Sequence, residues 1–263
     1  MICFDKGNCL INLFYYRRCF IPWNKKNIVI IPAGGTGKRF ESNIPKQFID
    51  LGGVPILIRT LLIFENIPEI DLIIISMSKE WIGLTMELIS QYKLKKIGNI
   101  VEGGFERQDS VYNALETKEA IHSEIILIHD AVRPFADSGL VRRIISAAYE
   151  FGAAVPALHP KETIKQIGVN NLVKMTIDRS KLICIQTPQG FRTDIIINSY
   201  QKANKEQYYS TDDAALVEAA GYPVKFIQGD EANIKITTKF DMLYAGVLLD
   251  ILKDKSELNN INI

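Results

Sequence analysis

Short runs of Ile, Val and Leu alternate along the chain with longer segments of helical length, and this alternation limits the folds open to it. The apolar runs cover residues 28–31, 72–76, 97–101 and 125–129. Such nearly continuous aliphatic runs are typical of strands buried on both faces of a parallel sheet. Helices are predicted at residues 56–65, 81–92, 109–120 and 138–151. The pattern predicts βαβ units, and so a three-layer α/β fold with a mostly parallel, Rossmann-like sheet.

The rhythm changes after residue 152. A further strand is predicted at 153–158, and two strands at 163–167 and 173–177 flank the turn-forming sequence GVNN. This arrangement indicates a β-hairpin inserted into the sheet, an arm of about residues 158–182. The remaining elements are helices at 193–204, 212–220 and 239–252 and strands at 224–228 and 234–237. We therefore expect one domain over residues 27–253 and a tail at 254–263.

Composition excludes several functional classes. A net charge of +1 and 23% charged residues give no basic stripe for nucleic acid and no general attraction to membranes. The cysteines form no C-x-x-C pair, so neither a zinc site nor a disulfide framework is expected, and a reducing cytoplasmic location is the simplest interpretation. These cysteines are Cys3, Cys9, Cys19 and Cys184.

Residues 1–26 do not follow the pattern of the rest. Their apolar stretch is interrupted by Asn12, Arg17 and Arg18, so it is too short and broken for a membrane span, and its order is wrong for a signal peptide. We interpret it as an extension that is non-functional or disordered. A peripheral contact segment or a weak targeting sequence are the alternatives.

A glycine-rich loop follows the first strand. From Ala33 to Arg39 it reads AGGTGKR, and Lys46 follows in IPKQ. Glycines let backbone N–H groups approach a ligand closely, and open α/β sheets bind nucleotides at the carboxyl ends of their strands. A Walker A loop needs Ser or Thr where Arg39 stands, and the spacing does not match the dinucleotide fingerprint. The loop therefore indicates a triphosphate-binding loop that is neither a Walker A loop nor a dinucleotide-binding loop. The alternative is a glycine-rich turn with solvated basic side chains.

Two further segments follow predicted strands. GGFERQDS, from Gly103 to Ser110, could contact a base through backbone and hydroxyl groups, although capping of the next helix by Asp109 or Ser110 is equally compatible. HDAVRP places Asp130 at the end of a buried strand, where a carboxylate needs a partner. That partner is either a metal ion or ligand hydroxyl, or Arg133 in a contact that only shapes the loop.

Basic residues also lie near and beyond the predicted arm. Arg179 could grip a phosphate with two hydrogen bonds. Lys235 lies in the short apolar segment NIKIT. A lysine there usually extends its ammonium group to solvent, but next to a phosphate loop it could be a further cation on the phosphates.

The loop from Ala33 to Arg39 with Lys46 resembles the signature of glycosyltransferase-A-like nucleotidyltransferases. Together with GGFERQDSV, HDAVRP, TPQ, TDDA and NIK, it resembles the 2-C-methyl-D-erythritol 4-phosphate cytidylyltransferases over about residues 28–252. Two departures occur, Glu162 where the family commonly has Asp and Lys239 where it often has Pro. Members of this family transfer CMP from CTP to the polyol phosphate and act as homodimers joined through the arm.

The resemblance implies a role for each matching residue. The triphosphate is expected beside Ala33, Gly34, Gly35 and Gly37, with Arg39, Lys46 and Lys235 as the catalytic cations. The cytidine is expected beside Gly104, Arg107, Ser110 and Asp130, with Mg²⁺ or another divalent cation mainly on the triphosphate and Asp130 as its protein ligand. The polyol phosphate is expected beside Arg133, Thr163, Arg179 and Thr187, with Thr163 reaching in from the partner subunit.

The expected reaction is in-line attack of the substrate phosphate on the α-phosphorus of CTP, because a phosphate monoester is already an anion and needs no strong base. Ribitol 5-phosphate cytidylyltransferase is the near alternative and shares most of these strings. A hexose-1-phosphate nucleotidyltransferase would have a longer chain. A non-catalytic nucleotide-binding module would be expected to have lost part of the set Arg39, Lys46 and Lys235.

Overall fold

A computed structural model describes residues 26–35 and 44–261, with side chains described as far as residue 253. The described strands, in chain order, are β1 (Asn27–Pro32), β2 (Asp50–Leu51), β3 (Val54–Pro55), β4 (Leu72–Met77), β5 (Ile97–Glu102), β6 (Ile125–Ile128), β7 (Ala153–Leu158), β8 (Ile164–Ile167), β9 (Val173–Ile177), β10 (Cys184–Ile185), β11 (Gln189–Arg192) and β12 (Lys225–Gln228). The helices are α1 (Ile56–Glu65), α2 (Ile82–Gln91), α3 (Arg107–Leu115), α4 (Lys118–Ile121), α5 (Ser138–Phe151), α6 (Thr193–Glu206), α7 (Asp213–Ala219) and α8 (Lys239–Ile261).

An eight-stranded sheet forms the centre, in the order β10-β7-β11-β6-β1-β4-β5, with β12 also paired to β7. β1 pairs in parallel with both β4 and β6, and β4 pairs in parallel with β5. β11 runs antiparallel between β6 and β7. The predicted α/β class with a mostly parallel sheet is confirmed.

Alternate residues of β1 enter two cores on opposite faces of the sheet. Val29 and Ile31 pack with side chains of α1 and α5, whereas Ile28 and Ile30 pack with side chains of α3, α6 and α7. All four are fully buried, and each such side chain stabilises the fold by roughly 1.5–3 kcal/mol relative to exposure. Helices therefore cover both faces, which makes the three layers that the pattern predicted.

A third, smaller core joins α8 to the segment after β6. Val132 and Phe135 pack there with Ile236 and Ala245. The backbone N–H of Ile236 donates to the carbonyl of Val132 at 2.9 Å. This packing holds the segment that carries Lys235 beside the segment that carries Asp130.

The two strands predicted to form a hairpin do so. β8 and β9 pair antiparallel with each other, and among the described strands neither joins the main sheet. Asn170 and Asn171 take the left-handed conformation, with φ of 55° and 59°, in the turn, which asparagine tolerates better than most residues. A role of this hairpin as an arm between subunits stays a prediction.

Some element predictions were wrong. Residues 109–120 form two helices, because the Thr117 side chain accepts from the N–H of Ala120 and starts α4. Residues 234–237 lie next to Val132 without forming a strand, and strand β11 was missed. Helix α8 continues to Ile261 and takes in most of the expected tail.

Part of the sequence interpretation falls outside the described residues. The extension before Lys26 and the loop positions Gly37 and Arg39 are of this kind. Within residues 26–35 and 44–261, no helix is both long and apolar enough to cross a membrane.

Candidate active site

A cavity of about 610 Å³ opens at the carboxyl ends of β1, β4, β5 and β6, and its volume lies in the range typical of small-molecule sites. Parallel strands bring their carboxyl ends to one edge, so segments far apart in sequence meet there. The predicted site residues that line it are Ala33, Gly34, Gly35, Lys46, Gly104, Arg107, Ser110, Asp130 and Lys235. Most of the predicted triphosphate and cytidine residues are therefore brought together.

The start of the glycine-rich loop is fixed by hydrogen bonds to its neighbours. The N–H of Ala33 donates to the Ser76 carbonyl at 2.7 Å, and the buried Gln47 amide donates to the Ala33 carbonyl at 2.6 Å. Among the described residues, nothing lies within 4 Å of the Cβ that a side chain would add at Gly35. Packing against the described residues therefore does not require glycine at this position.

The second glycine pair is held by close packing. A Cβ at Gly104 would lie 2.2 Å from the Cβ of Asp109, so only glycine fits. The Gly104 N–H donates to Ser110 Oγ at 3.1 Å, and that hydroxyl donates to the Glu106 carbonyl at 3.1 Å. The N-cap of α3 is Glu106 and not Asp109 or Ser110, so that expectation was wrong; Asp109 is the third residue of the helix and accepts from the Glu106 N–H at 2.9 Å. Ser110 thus shapes the loop, and its contact with a base stays a prediction.

Asp130 lies among three cationic side chains. Its carboxylate is 2.9 Å from Lys235 Nζ, 3.3 Å from Arg133 Nε and 3.4 Å from Arg107 Nε. Burial alone would raise the pKa of Asp130, but the charges of Arg107, Lys235 and Arg133 outweigh it and hold the pKa well below its usual range. The carboxylate is therefore ionised, and its negative charge holds the three positively charged side chains close together at the floor of the cavity.

Arg107 has a second carboxylate partner that the sequence interpretation did not assign. Its guanidinium donates to both oxygens of the fully buried Asp213, at 3.0 and 2.8 Å. The Tyr200 hydroxyl donates to the same carboxylate at 2.5 Å. Burial alone would lower the pKa of Arg107, but Asp213 and Asp130 outweigh it and raise the pKa. This geometry fixes the plane of the guanidinium at the cavity wall.

Buried side chains hold the turn after β6 in place. Arg133 is buried, and its guanidinium donates to Asp130 Oδ2 at 3.3 Å and to the Asn233 carbonyl at 2.7 Å. The Asp130–Arg133 contact considered from the sequence is present. Thr187 is also buried and accepts from the Asp130 N–H at 3.1 Å. Substrate binding by Arg133 and Thr187 stays a prediction.

Thr163 and Arg179 lie elsewhere in the chain. Both are exposed at the base of the hairpin, and neither is among the described residues that line the 610 Å³ cavity. Arg179 donates to the Lys161 carbonyl. Substrate binding by Thr163 and Arg179 stays a prediction.

The carboxylates of the site do not form a metal cage. Among the described residues, no group of three or more His, Cys, Asp and Glu side chains could hold a metal ion. Mg²⁺ is usually bound through one or two carboxylates and the phosphates of its substrate. In the described part of the cavity wall, the carboxylates are those of Asp130 and Glu106. A role of Asp130 as the protein ligand of a cation that arrives with a triphosphate stays a prediction.

Comparison with known proteins agrees with this geometry. A sequence model of 2-C-methyl-D-erythritol 4-phosphate cytidylyltransferase matches residues 27–251. The chain belongs to this family. The enzyme of that name from Geobacillus thermodenitrificans (strain NG80-2) is 42% identical over 220 residues, which cover 84% of this chain and 95% of the relative. The relative from Syntrophus aciditrophicus (strain SB) is 40% identical over 225 residues, covering 85% and 96%.

Solved structures of the family share the fold. The 4-diphosphocytidyl-2C-methyl-D-erythritol synthase of Anaerococcus prevotii DSM 20548 superimposes with a TM-score of 0.76 at 31% identity, covering 86% of this chain and 96% of that one. The 2-C-methyl-D-erythritol 4-phosphate cytidylyltransferase of Thermus thermophilus gives a TM-score of 0.69 at 32% identity, covering 85% and 98%.

Several residues that organise the site were not assigned from the sequence. His129, Tyr200 and Asp213 are each at most 2% exposed. His129 is linked to Asp130 through Thr187, and Tyr200 is linked to Arg107 through Asp213. His129 and Asp213 stood inside the noted strings HDAVRP and TDDA. For Asp213 the available signal was an acidic residue at the predicted start of a helix. Tyr200 gave no signal of this kind, because its sequence position is that of an ordinary core residue of α6.

Proposed function

We propose that this chain transfers CMP from CTP to 2-C-methyl-D-erythritol 4-phosphate and releases pyrophosphate, with Mg²⁺ as the accompanying cation. The observation that carries the proposal is the meeting of Lys46, Arg107 and Lys235 with a glycine-rich loop around one cavity at the carboxyl edge of the sheet. The names of the relatives supply the nucleotide and the acceptor.

The chemistry follows from the charges. A phosphate oxygen of the acceptor attacks the α-phosphorus of CTP, the bond from that phosphorus to the bridging oxygen breaks, and pyrophosphate leaves with its electron pair. Lys46 and Lys235 line the cavity where this charge develops, and positioning with charge neutralisation is the main work of enzymes of this type. Mg²⁺ would neutralise part of the triphosphate charge, with Asp130 as its protein ligand.

Removal of the Lys46 ammonium group tests the assignment. In Lys46→Ala, kcat should fall by about 10²–10³, the cost of losing one preorganised charge at a transition state. Lys202→Ala is the matched control, because Lys202 lies on α6 and contacts the Ala219 carbonyl, away from the cavity. A folded Lys46→Ala protein with the turnover of the control would contradict the proposal.

The acceptor is tested by pyrophosphate release with CTP and Mg²⁺, comparing methylerythritol 4-phosphate with ribitol 5-phosphate. Release with methylerythritol 4-phosphate alone is expected. Release with ribitol 5-phosphate alone would keep the chemistry and change the substrate. Release with neither would contradict the proposed reaction, and omission of Mg²⁺ from the same assay tests the requirement for the cation.

We also propose that the enzyme is a homodimer in which the hairpin of one subunit completes the site of the other. Thr163 and Arg179 lie outside the cavity of their own chain, and the hairpin exposes large apolar side chains, a feature typical of interaction surfaces. These are Ile167, Val169, Leu172, Val173 and Met175, each 49–82% exposed.

Subunit mixing tests this arrangement. Thr163→Ala and Lys46→Ala, each of low activity alone, should recover turnover when refolded or co-expressed together, because a mixed dimer contains one site with both residues. No recovery from a verified mixed dimer would show that the hairpin serves the site of its own chain.

A further inference from the structure

The described part of the chain holds one fully buried imidazole that the proposed chemistry does not use. His129 is 0% exposed at the end of β6, next to Asp130, and its ring meets Phe64 edge-on at 5.1 Å between centroids. A buried imidazole needs partners for both ring nitrogens. Here both nitrogens have one, and the two partners lie on different segments.

The hydrogen bonds around His129 form a closed ring. The Asp130 N–H donates to Thr187 Oγ1 at 3.1 Å, Thr187 Oγ1 lies 3.0 Å from His129 Nδ1, and His129 Nε2 lies 3.0 Å from the Arg133 carbonyl. The Arg133 side chain then returns to Asp130 Oδ2 at 3.3 Å. Both the backbone and the carboxylate of Asp130 are members of this ring.

The partners decide where the protons lie. The Arg133 carbonyl can only accept, so His129 Nε2 carries the hydrogen. In the neutral ring Nδ1 then accepts, and the Thr187 hydroxyl must direct its proton to it. The Asp130 N–H fills a lone pair of the same hydroxyl. The Thr187 proton is therefore committed to His129 and is not available to a ligand.

We propose that His129 and Thr187 act as one positioning unit that fixes Asp130, with Thr187 directing its proton to His129 and not to the polyol phosphate. This inference rests on the proposed function, because Asp130 matters through its place among Lys235, Arg107 and the nucleotide. The role differs from the substrate contact that the sequence resemblance implies for Thr187. Neither residue is a catalytic residue, since neither lines the described cavity.

Nitrogen NMR on the full-length protein gives a direct readout of the proton positions. The chain has three histidines, so His122→Gln and His129→Gln assign the spectrum by loss of signals. At neutral pH, His129 should show a pyridine-type Nδ1 and a pyrrole-type Nε2. A pyrrole-type Nδ1 would overturn the proposal, because the Thr187 hydroxyl would then accept from the ring and keep its proton for a ligand.

Kinetics separate positioning from mere stability. Thr187→Val breaks the ring with little change in shape, and kcat/KM for CTP should fall about tenfold or more, as expected when buried donors and acceptors lose their partner. Thr187→Ser keeps the hydroxyl and should restore activity to within about threefold of wild type. His122→Gln is the control, since His122 is exposed at the end of α4 and its imidazole lies within hydrogen-bond distance of the Lys118 carbonyl, away from the ring around His129.

Direct CTP binding keeps this test independent of the acceptor. Weaker CTP binding by Thr187→Val, with Thr187→Ser near wild type, supports the proposal even if methylerythritol 4-phosphate is not the substrate. The proposal is overturned if Thr187→Val changes only the unfolding temperature, or if it raises KM for the polyol phosphate while CTP binding stays unchanged. If His129→Gln does not fold, the Thr187 pair and the spectrum of the wild type still decide between these outcomes.

Discussion

The buried ion pair between Arg107 and Asp213 should be far more costly to break than an exposed pair of the same chemistry. Asp213 is fully buried, and Arg107 donates to both of its oxygens at 3.0 and 2.8 Å. The chain also contains an exposed counterpart, in which Arg192 donates to Asp194 at 3.2 and 2.9 Å. The two pairs share the same chemistry and differ in exposure and in the further contacts of Arg107 and Asp213 with Asp130 and Tyr200, so they form an internal comparison.

The magnitude follows from what Asp213→Asn leaves behind. One oxygen remains to accept, but the amide N–H₂ faces a guanidinium N–H, so one charge-assisted hydrogen bond worth about 1.5–3 kcal/mol is lost. Breaking a buried pair commonly costs about 3–5 kcal/mol, but the Arg107 side chain is 32% exposed and keeps Asp130 as a partner at 3.4 Å. We therefore expect the free energy of unfolding to fall by about 2–4 kcal/mol.

The exposed pair sets the reference. Asp194→Asn should lower the free energy of unfolding by no more than about 1 kcal/mol, including its favourable place in the first turn of α6. Urea unfolding of both variants and wild type gives the comparison, and the KM for CTP should rise only in Asp213→Asn. Equal losses in the two variants, or a loss below about 1 kcal/mol for Asp213→Asn, would refute the reasoning from burial.

Four further changes have defined outcomes. Lys235→Gln should lower kcat by about 10²–10³ with little change in fold, because it removes a cation at the cavity wall; steady-state pyrophosphate release checks this. Gly104→Ala should destabilise the protein and raise KM for CTP, since the added Cβ would overlap Asp109. Gly83→Ala is the matched control in α2, where no described atom lies within 4 Å of the added Cβ. It should raise the free energy of unfolding by about 0.4–1 kcal/mol, measured by urea unfolding. Asp241→Ala should lose about 1 kcal/mol of stability, because Asp241, in the first turn of α8, accepts from Thr237 and Thr238 directly before the helix. Burial alone would raise the pKa of Asp241, but these hydrogen bonds lower it, so the advantage of wild type is present above the ordinary carboxyl pKa of about 3.9 and shrinks as pH falls below it.

The location of the site could be predicted because it depends on local patterns. Strands buried on both faces, such as β1 and β6, are readable from continuous aliphatic runs. Once they are parallel, their carboxyl ends share an edge, and any polar residue placed directly after such a strand belongs to that edge. Asp130 and the loop from Ala33 meet for this reason and not through any contact visible in the sequence.

Strand β11 shows why the rest could not be predicted. Its sequence QGFR has neither the length nor the alternation of a strand, yet it lies between β6 and β7 in the middle of the sheet. Gly190 is placed there because a Cβ would lie 2.5 Å from Ile144 and 3.0 Å from Leu127. A glycine of this kind marks close approach of another element, and the approaching element is a long-range partner that the local sequence does not name.

The cluster of cationic side chains in the site also depends on partners that the local sequence does not name, and it shows why the carboxylates are needed. Arg107, Arg133 and Lys235 would repel one another at the floor of the cavity, and their partners lie up to 106 residues away in the sequence. Asp130 and Asp213 offset two of these three charges, which leaves about one positive charge within the cluster. The two acids therefore hold the cations at close range without neutralising them, and the excess remains available to an anionic ligand. A substitution that removes either acid should loosen the cluster and weaken nucleotide binding, although it makes the cavity more positive. Simple attraction between charges would instead strengthen nucleotide binding, so the direction of the change in affinity distinguishes the two explanations.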